Sequence, residues 1–200
     1  MISPQKRSDD ITQLIVKAHS DYQKMSGVWL WEGAEYYLTC KVAEGIWGFS
    51  NGKLLCSVEN PVKEFPVSPG RPALDTRNNG RFDIGIWTPD WYPNGVIEVK
   101  SSVSPSTCEP DIRRLAAFSV ASADPVLASF AYYKSFSALR PEALERSIQT
   151  HTQKLTKLFE VQKTARNLSV SYSSRKTEAE SGESDLSQAL AFSATFRRKS

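Results

Sequence analysis

Three side chains in one short stretch have types and spacing suited to chemistry on a phosphate: Asp83, Glu98 and Lys100. Phe82-Asp83-Ile84-Gly85-Ile86-Trp87 alternates apolar and polar residues at period two, and Val96-Ile97-Glu98-Val99-Lys100 does so again. Such alternation marks strands, and the turn-rich segment from Thr88 to Gly95, ending in Asn94-Gly95, predicts a hairpin joining them. Residues two apart in a strand share a face, so Glu98 and Lys100 point one way while Ile97 and Val99 point into a core. If the antiparallel register sets Ile84 opposite Ile97, Asp83 falls opposite Glu98 and Arg81 opposite Lys100. Directly opposed residues have Cβ atoms about 4.5–5.5 Å apart. Two carboxylates that close repel unless a cation lies between them. Hard oxygen donors suit Mg²⁺ or Mn²⁺. The lysine adds a fixed positive charge that can stabilise a charged phosphorane or a hydroxide nucleophile.

The segments around this hairpin must position it. Asp9 to Met25 carries Ile11, Leu14, Ile15, Ala18 and Tyr22 on one stripe, which predicts an amphipathic helix over 9–25 capped by Ser8 or Asp9. A second helix is expected from near Gly33 to Gly45, with Leu38, Val42 and Ile46 inward. Leu54 to Glu59 reads as a strand, followed by a Pro/Gly-rich loop from Pro61 to Gly80. Beyond the hairpin, Pro110 can open a helix reaching about Ala123, and Val126 to Tyr133 is apolar enough for a central buried strand. Pro141 begins a long helix through about Ala165, with Arg146, Lys154 and Lys157 on one stripe opposite Leu144, Ile148, Leu155 and Phe159. Strands are expected at Leu168–Tyr172 and Leu190–Phe196, with an exposed Ser/Glu-rich connection over 173–188. The order predicts one α/β domain over 1–200, with a central mixed β-sheet flanked by helices.

Composition excludes other classes. The chain has 200 residues, a formal charge of +3 and 24% charged residues, so it can bury one core and is only mildly basic. Its longest apolar run is too short to span a bilayer, and its first residues lack the apolar segment of a secretory signal. Three widely spaced cysteines without a C-x-x-C argue against a disulfide framework or zinc, and favour a cytoplasmic setting. Gly48 to Lys53 lacks the spacing of a phosphate loop, and neither a G-x-S-x-G elbow nor a G-x-G-x-x-G turn occurs. Only two histidines are present. His151 falls on the apolar side of its helix, where a core histidine is expected.

A lone Glu-x-Lys is common on solvated strands. Here it coincides with an apolar hairpin, an acid on the other arm and Ser101-Ser102 behind it. In that combination, Gly80-Arg81-Phe82-Asp83-Ile84-Gly85-Ile86 with Gly95-Val96-Ile97-Glu98-Val99-Lys100-Ser101 resembles the PD-(D/E)XK nuclease core, the restriction-endonuclease-like fold. The resemblance covers about residues 33 to 135, and Phe82 stands where the family often has proline. It implies that Asp83 and Glu98, helped by the Val99 carbonyl, hold Mg²⁺ or Mn²⁺, and that Lys100 positions or activates the attacking water. An acid from the preceding helix often completes such a site. Glu35 is the candidate, with Glu32 and Glu44 as rivals and a helix-dipole role as the alternative.

Arg113 and Arg114, on the helix after the hairpin, and Arg81 beside the first acid are the candidate nucleic-acid contacts, because arginine forks match phosphate oxygens. Surface charge is the other reading of that pair. Trp87 and Trp91 are available to stack on bases or to pack in the core. The expected activity is a metal-dependent endonuclease acting on DNA. A catalytically silent nucleic-acid- or partner-binding module, or a subunit of a larger restriction, repair or defence assembly, is the alternative. Cutting both strands of a duplex would suit a homodimer.

Overall fold

The computed structural model describes residues 2–65, 80–123, 126–182 and 185–199. Four helices, α1 (Pro4–Ser26), α2 (Glu35–Phe49), α3 (Glu109–Ala121) and α4 (Pro141–Arg166), flank a mixed seven-stranded sheet. The strands are β1 (Leu55–Pro61), β2 (Arg81–Trp87), β3 (Pro93–Ser101), β4 (Leu127–Ala138), β5 (Leu168–Lys176), β6 (Glu180–Ser181) and β7 (Leu186–Arg198). They lie in the order β1-β2-β3-β4-β7-β5, with β6 on β7. β1, β2 and β3 form an antiparallel meander. β4 then returns parallel to β3 after the α3 crossover, as a parallel pair requires. β7 and β5 extend the sheet antiparallel. The expected α/β domain with a central mixed sheet is what the chain forms.

Each face of the sheet has its own core. On one, Ile84, Ile86, Ile97, Val99 and Ala131 meet Ile11, Leu14 and Ile15 of α1 and Leu38, Val42 and Ile46 of α2. On the other, Val96, Phe130 and Tyr132 meet Ile112 and Leu115 of α3 and Leu144, Ile148, Leu155 and Phe159 of α4. The helical stripes expected from periodicity are therefore the buried ones. The polar stripe of α4, with Arg146, Lys154 and Lys157, is exposed.

Boundaries moved where local signals competed. α1 starts at Pro4, not Asp9, because Ser3 caps it by accepting the Lys6 N–H at 3.1 Å, and a proline fits the first turn. Asn94-Gly95 is not the turn. Both residues lie inside β3, and the chain reverses over 88–92, where Trp91 N donates to the Thr88 carbonyl at 2.9 Å. Gly95 answers a different demand, since a Cβ there would sit 2.7 Å from the Leu127 carbonyl of β4. The expected connection over 173–188 is instead largely strand where it is described, because β5, β6 and β7 all reach into it. Most of the loop expected over 61–80 lies outside the described residues.

All three cysteines are free thiols. His151 is satisfied as a packed histidine: its Nε2 lies 2.6 Å from the Tyr132 hydroxyl, which also reaches the Val103 carbonyl. Among the described residues no helix is long and apolar enough to cross a membrane.

Candidate active site

β2 and β3 pair with Ile84 opposite Ile97, but the pairs that this register would extend to, Asp83 with Glu98 and Arg81 with Lys100, are not made. The backbone ladder stops there. Asp83 continues it with its side chain, Oδ2 accepting the Val99 N–H at 2.6 Å. β2 also breaks its alternation at this acid, for Phe82 packs in the α3/α4 core and Ile84 in the α1/α2 core although they are two residues apart. By count Glu59 of β1 stands opposite Asp83, and its φ of 56° marks the distortion on the neighbouring strand. The sheet thus opens beside the acid.

Glu98 lies on the α3 side of β3, 1% exposed. Arg114, one turn along α3, forms an ion pair with its Oε1 and reaches Asp111 Oδ1 at 3.1 Å. Asp111 Oδ2 in turn lies 3.5 Å from Lys100 Nζ. Burial, and then the charge of Asp83, hold the Glu98 carboxyl well above the usual range even though Arg114 and Lys100 act the other way. Burial opposes the Lys100 ammonium, but the charges of Asp111, Asp83, Glu98 and Glu35 together hold its pKa above the ordinary lysine value. Glu35 comes from the other side: at the start of α2 its Oε2 accepts the Ser101 N–H at 2.7 Å, just past Lys100. Burial raises its carboxyl, with the Ser101 N–H and Lys100 as partial offsets.

Four carboxylates therefore surround two cations at the end of β3. Asp83, Glu98, Lys100 and Glu35 are brought together from β2, β3 and α2. Of the rivals to Glu35, Glu44 pairs with Lys41 at 2.8 Å and Glu32 is exposed in a short turn. Arg114, expected on phosphate, is held inward by Glu98 and Asp111 with its side chain 14% exposed. Arg113 is exposed, and Arg81 stands 3.8 Å from Glu59. Trp87 is a core residue, stacked on Phe65 and donating to Ser57 Oγ at 2.8 Å. Trp91 is exposed at the far end of the hairpin. Asp111 is the residue sequence reasoning passed over. Its signal was the i,i+3 spacing to Arg114, which places both on one helix face.

Among the described residues no three His, Cys, Asp or Glu side chains converge into a ready-made cation cage. The donor set nevertheless fits a hard divalent ion of the kind that keeps several waters and takes one or two carboxylates. Asp83 and Glu98 would supply those carboxylates. Val99, whose carbonyl the resemblance adds as a ligand, is tied to Asp83 through its N–H. Neither a family model, nor a curated protein, nor a solved structure matches the chain.

Proposed function

We propose that this protein is a metal-dependent phosphodiesterase of the PD-(D/E)XK type, a nuclease acting on DNA in a cytoplasmic setting. The supporting observation is the buried Glu98 carboxylate beside Asp83, with Lys100 on the same strand face and an excess of acids over cations around them. Asp83 and Glu98 would hold Mg²⁺ or Mn²⁺, which supplies Lewis-acid stabilisation of the phosphoryl group and lowers the pKa of water. Lys100, steered by Asp111, presents its ammonium where charge develops on the attacked phosphate. Arg114 balances Glu98 in the folded chain and holds that carboxylate through its Oε1. In hydrolysis the water oxygen bonds to phosphorus, the ester P–O bond breaks, and the departing oxygen takes a proton. Arg113 and Arg81, both exposed, are the phosphate contacts of this reading.

The direct test is Mg²⁺ or Mn²⁺ titration of the purified protein against linear, circular and single-stranded DNA and against RNA, with Mn²⁺ binding followed by its paramagnetic resonance. Metal-dependent cleavage, lost in excess EDTA, is the expected result. Undiminished cleavage in EDTA overturns the mechanism. One observation favours a second reading: the Arg114 guanidinium already sits on Glu98, so an internal cation can stand in for the metal in a silent, nucleic-acid-binding version of the fold. In that case Mn²⁺ leaves the protein unbound and nucleic acid is retained uncut.

Glu35 separates its two roles in one substitution. Glu35→Gln keeps an acceptor for the Ser101 N–H and removes the charge. If the carboxylate holds a water or orients Lys100, single-turnover cleavage slows by roughly 10–100-fold at unchanged melting temperature. A pure helix-dipole role predicts a stability loss of about 0.3–1 kcal/mol and an unaltered rate.

A further inference from the structure

At the opposite end of β3, roughly 20 Å from Lys100 along the strand, a cleft of about 420 Å³ opens between the first turn of α1, the end of α2 and Asn94. Lys6, Arg7 and Lys53 line it, against the single carboxylate of Asp10. That carboxylate is already engaged by Lys6.

Arg7 is the anomaly. It is 1% exposed, and its Nη2 reaches Asn94 Oδ1 only at 3.3 Å. Its Nε and Nη1 are buried without a hydrogen-bond partner among the described residues. A guanidinium does not shed its proton, so these donors stay charged and unfilled. Buried polar groups are nearly always bonded, and an exception of this kind asks for a missing acceptor. The position sharpens the point: Lys6 and Arg7 occupy the first turn of α1, which has no acid of its own, where the helix dipole favours an anion and disfavours cations. Phe49, about half exposed, forms part of the same wall. A cleft of this size holds more than a bare ion.

We propose that this cleft binds an organic phosphate monoester of mononucleotide size, its phosphate on Arg7 and Lys53 and its organic group against Phe49. Phosphate fits better than carboxylate because it offers three oxygens and up to two charges to a guanidinium fork and an ammonium. Such a group can come from a free mononucleotide or from the 5′-phosphate of a strand end. The site is separate from the acids and does not depend on their chemistry.

The test is calorimetric titration and thermal melting in EDTA, with adenosine 5′-monophosphate as probe and adenosine and inorganic phosphate as controls. The nucleotide is expected to bind and raise the melting temperature, inorganic phosphate to compete with it, and adenosine to do neither. Lys53→Glu, at an exposed position that leaves the core intact, is expected to weaken nucleotide binding by roughly tenfold or more, and Arg7→Met likewise. Asp83→Ala should leave binding unchanged. A 5′-phosphorylated single strand binding more tightly than both the nucleotide and its 5′-hydroxyl counterpart identifies a strand end. Equal or tighter binding of the nucleotide identifies the free ligand. The proposal is overturned if adenosine binds as well as the nucleotide, if neither binds at millimolar concentration, or if Lys53→Glu binds like wild type. It is also overturned if Asp83→Ala loses the ligand, since that would place it at the acids.

Discussion

Glu98→Gln is expected to abolish divalent-metal binding and cleavage while raising the melting temperature of the metal-free protein at neutral pH. The buried carboxyl is held above its ordinary value by burial and by Asp83. Between the ordinary and the raised value, the folded chain keeps a proton that the unfolded chain has lost. Stability is therefore greatest below that window and falls as pH rises through it. Glutamine is isosteric, cannot ionise, and still offers Arg114 an amide oxygen, so the substitution removes the slope without orphaning the guanidinium. The catalytic loss has another origin, because a neutral amide is a poor ligand for a hard dication. Melting in EDTA from about pH 4 to pH 8, together with Mn²⁺ titration, reads both effects. Wild-type metal affinity in Glu98→Gln removes Glu98 from the ligand set. A parallel pH profile for the two proteins removes the buried-charge argument. Asp83→Asn should likewise lose metal. Its amide oxygen can keep the bond from the Val99 N–H, so the end of β3 stays in place.

Lys100→Ala should leave Mn²⁺ affinity near wild type and lower the single-turnover rate by roughly 10²–10³, the loss typical of removing one charged or hydrogen-bonding stabiliser of a developing oxyanion. Four carboxylates keep the ammonium charged, Asp111 at 3.5 Å fixes its direction, and the side chain is still 20% exposed and so can meet a substrate. Asp111→Asn provides the internal check: if it steers Lys100, it lowers the rate less than Lys100→Ala, and the double variant is no slower than the lysine variant alone. An unchanged rate in Lys100→Ala takes the lysine out of the mechanism.

The contrast between Gly95 and Glu98 shows how far the chain can be read on its own. Period-two alternation at 84–87 and 96–100 determined two strands, and with them the shared face of Glu98 and Lys100. The helical stripes of Leu38, Val42 and Ile46 and of Leu144, Ile148, Leu155 and Phe159 were equally legible. These are properties of a single segment, set by the pitch of a strand or helix and by which residues avoid water. Asn94-Gly95 looked like a turn because local propensity favours one. It became strand because the segment from Gly95 to Ser101 pairs with β4, and glycine at 95 admits the Leu127 carbonyl, which comes too close for any side chain there. The start of α1, the continuation of strands into 173–188, the pairing of Arg114 with Glu98 rather than with solvent, and the burial of Arg7 beside Asn94 share that character. Each depends on which segment is packed against which, and short-range periodicity carries no record of neighbours distant in sequence. The sequence determined the chemistry the strands could offer. The order of the sheet, and the helices laid across it, decided which charges would meet.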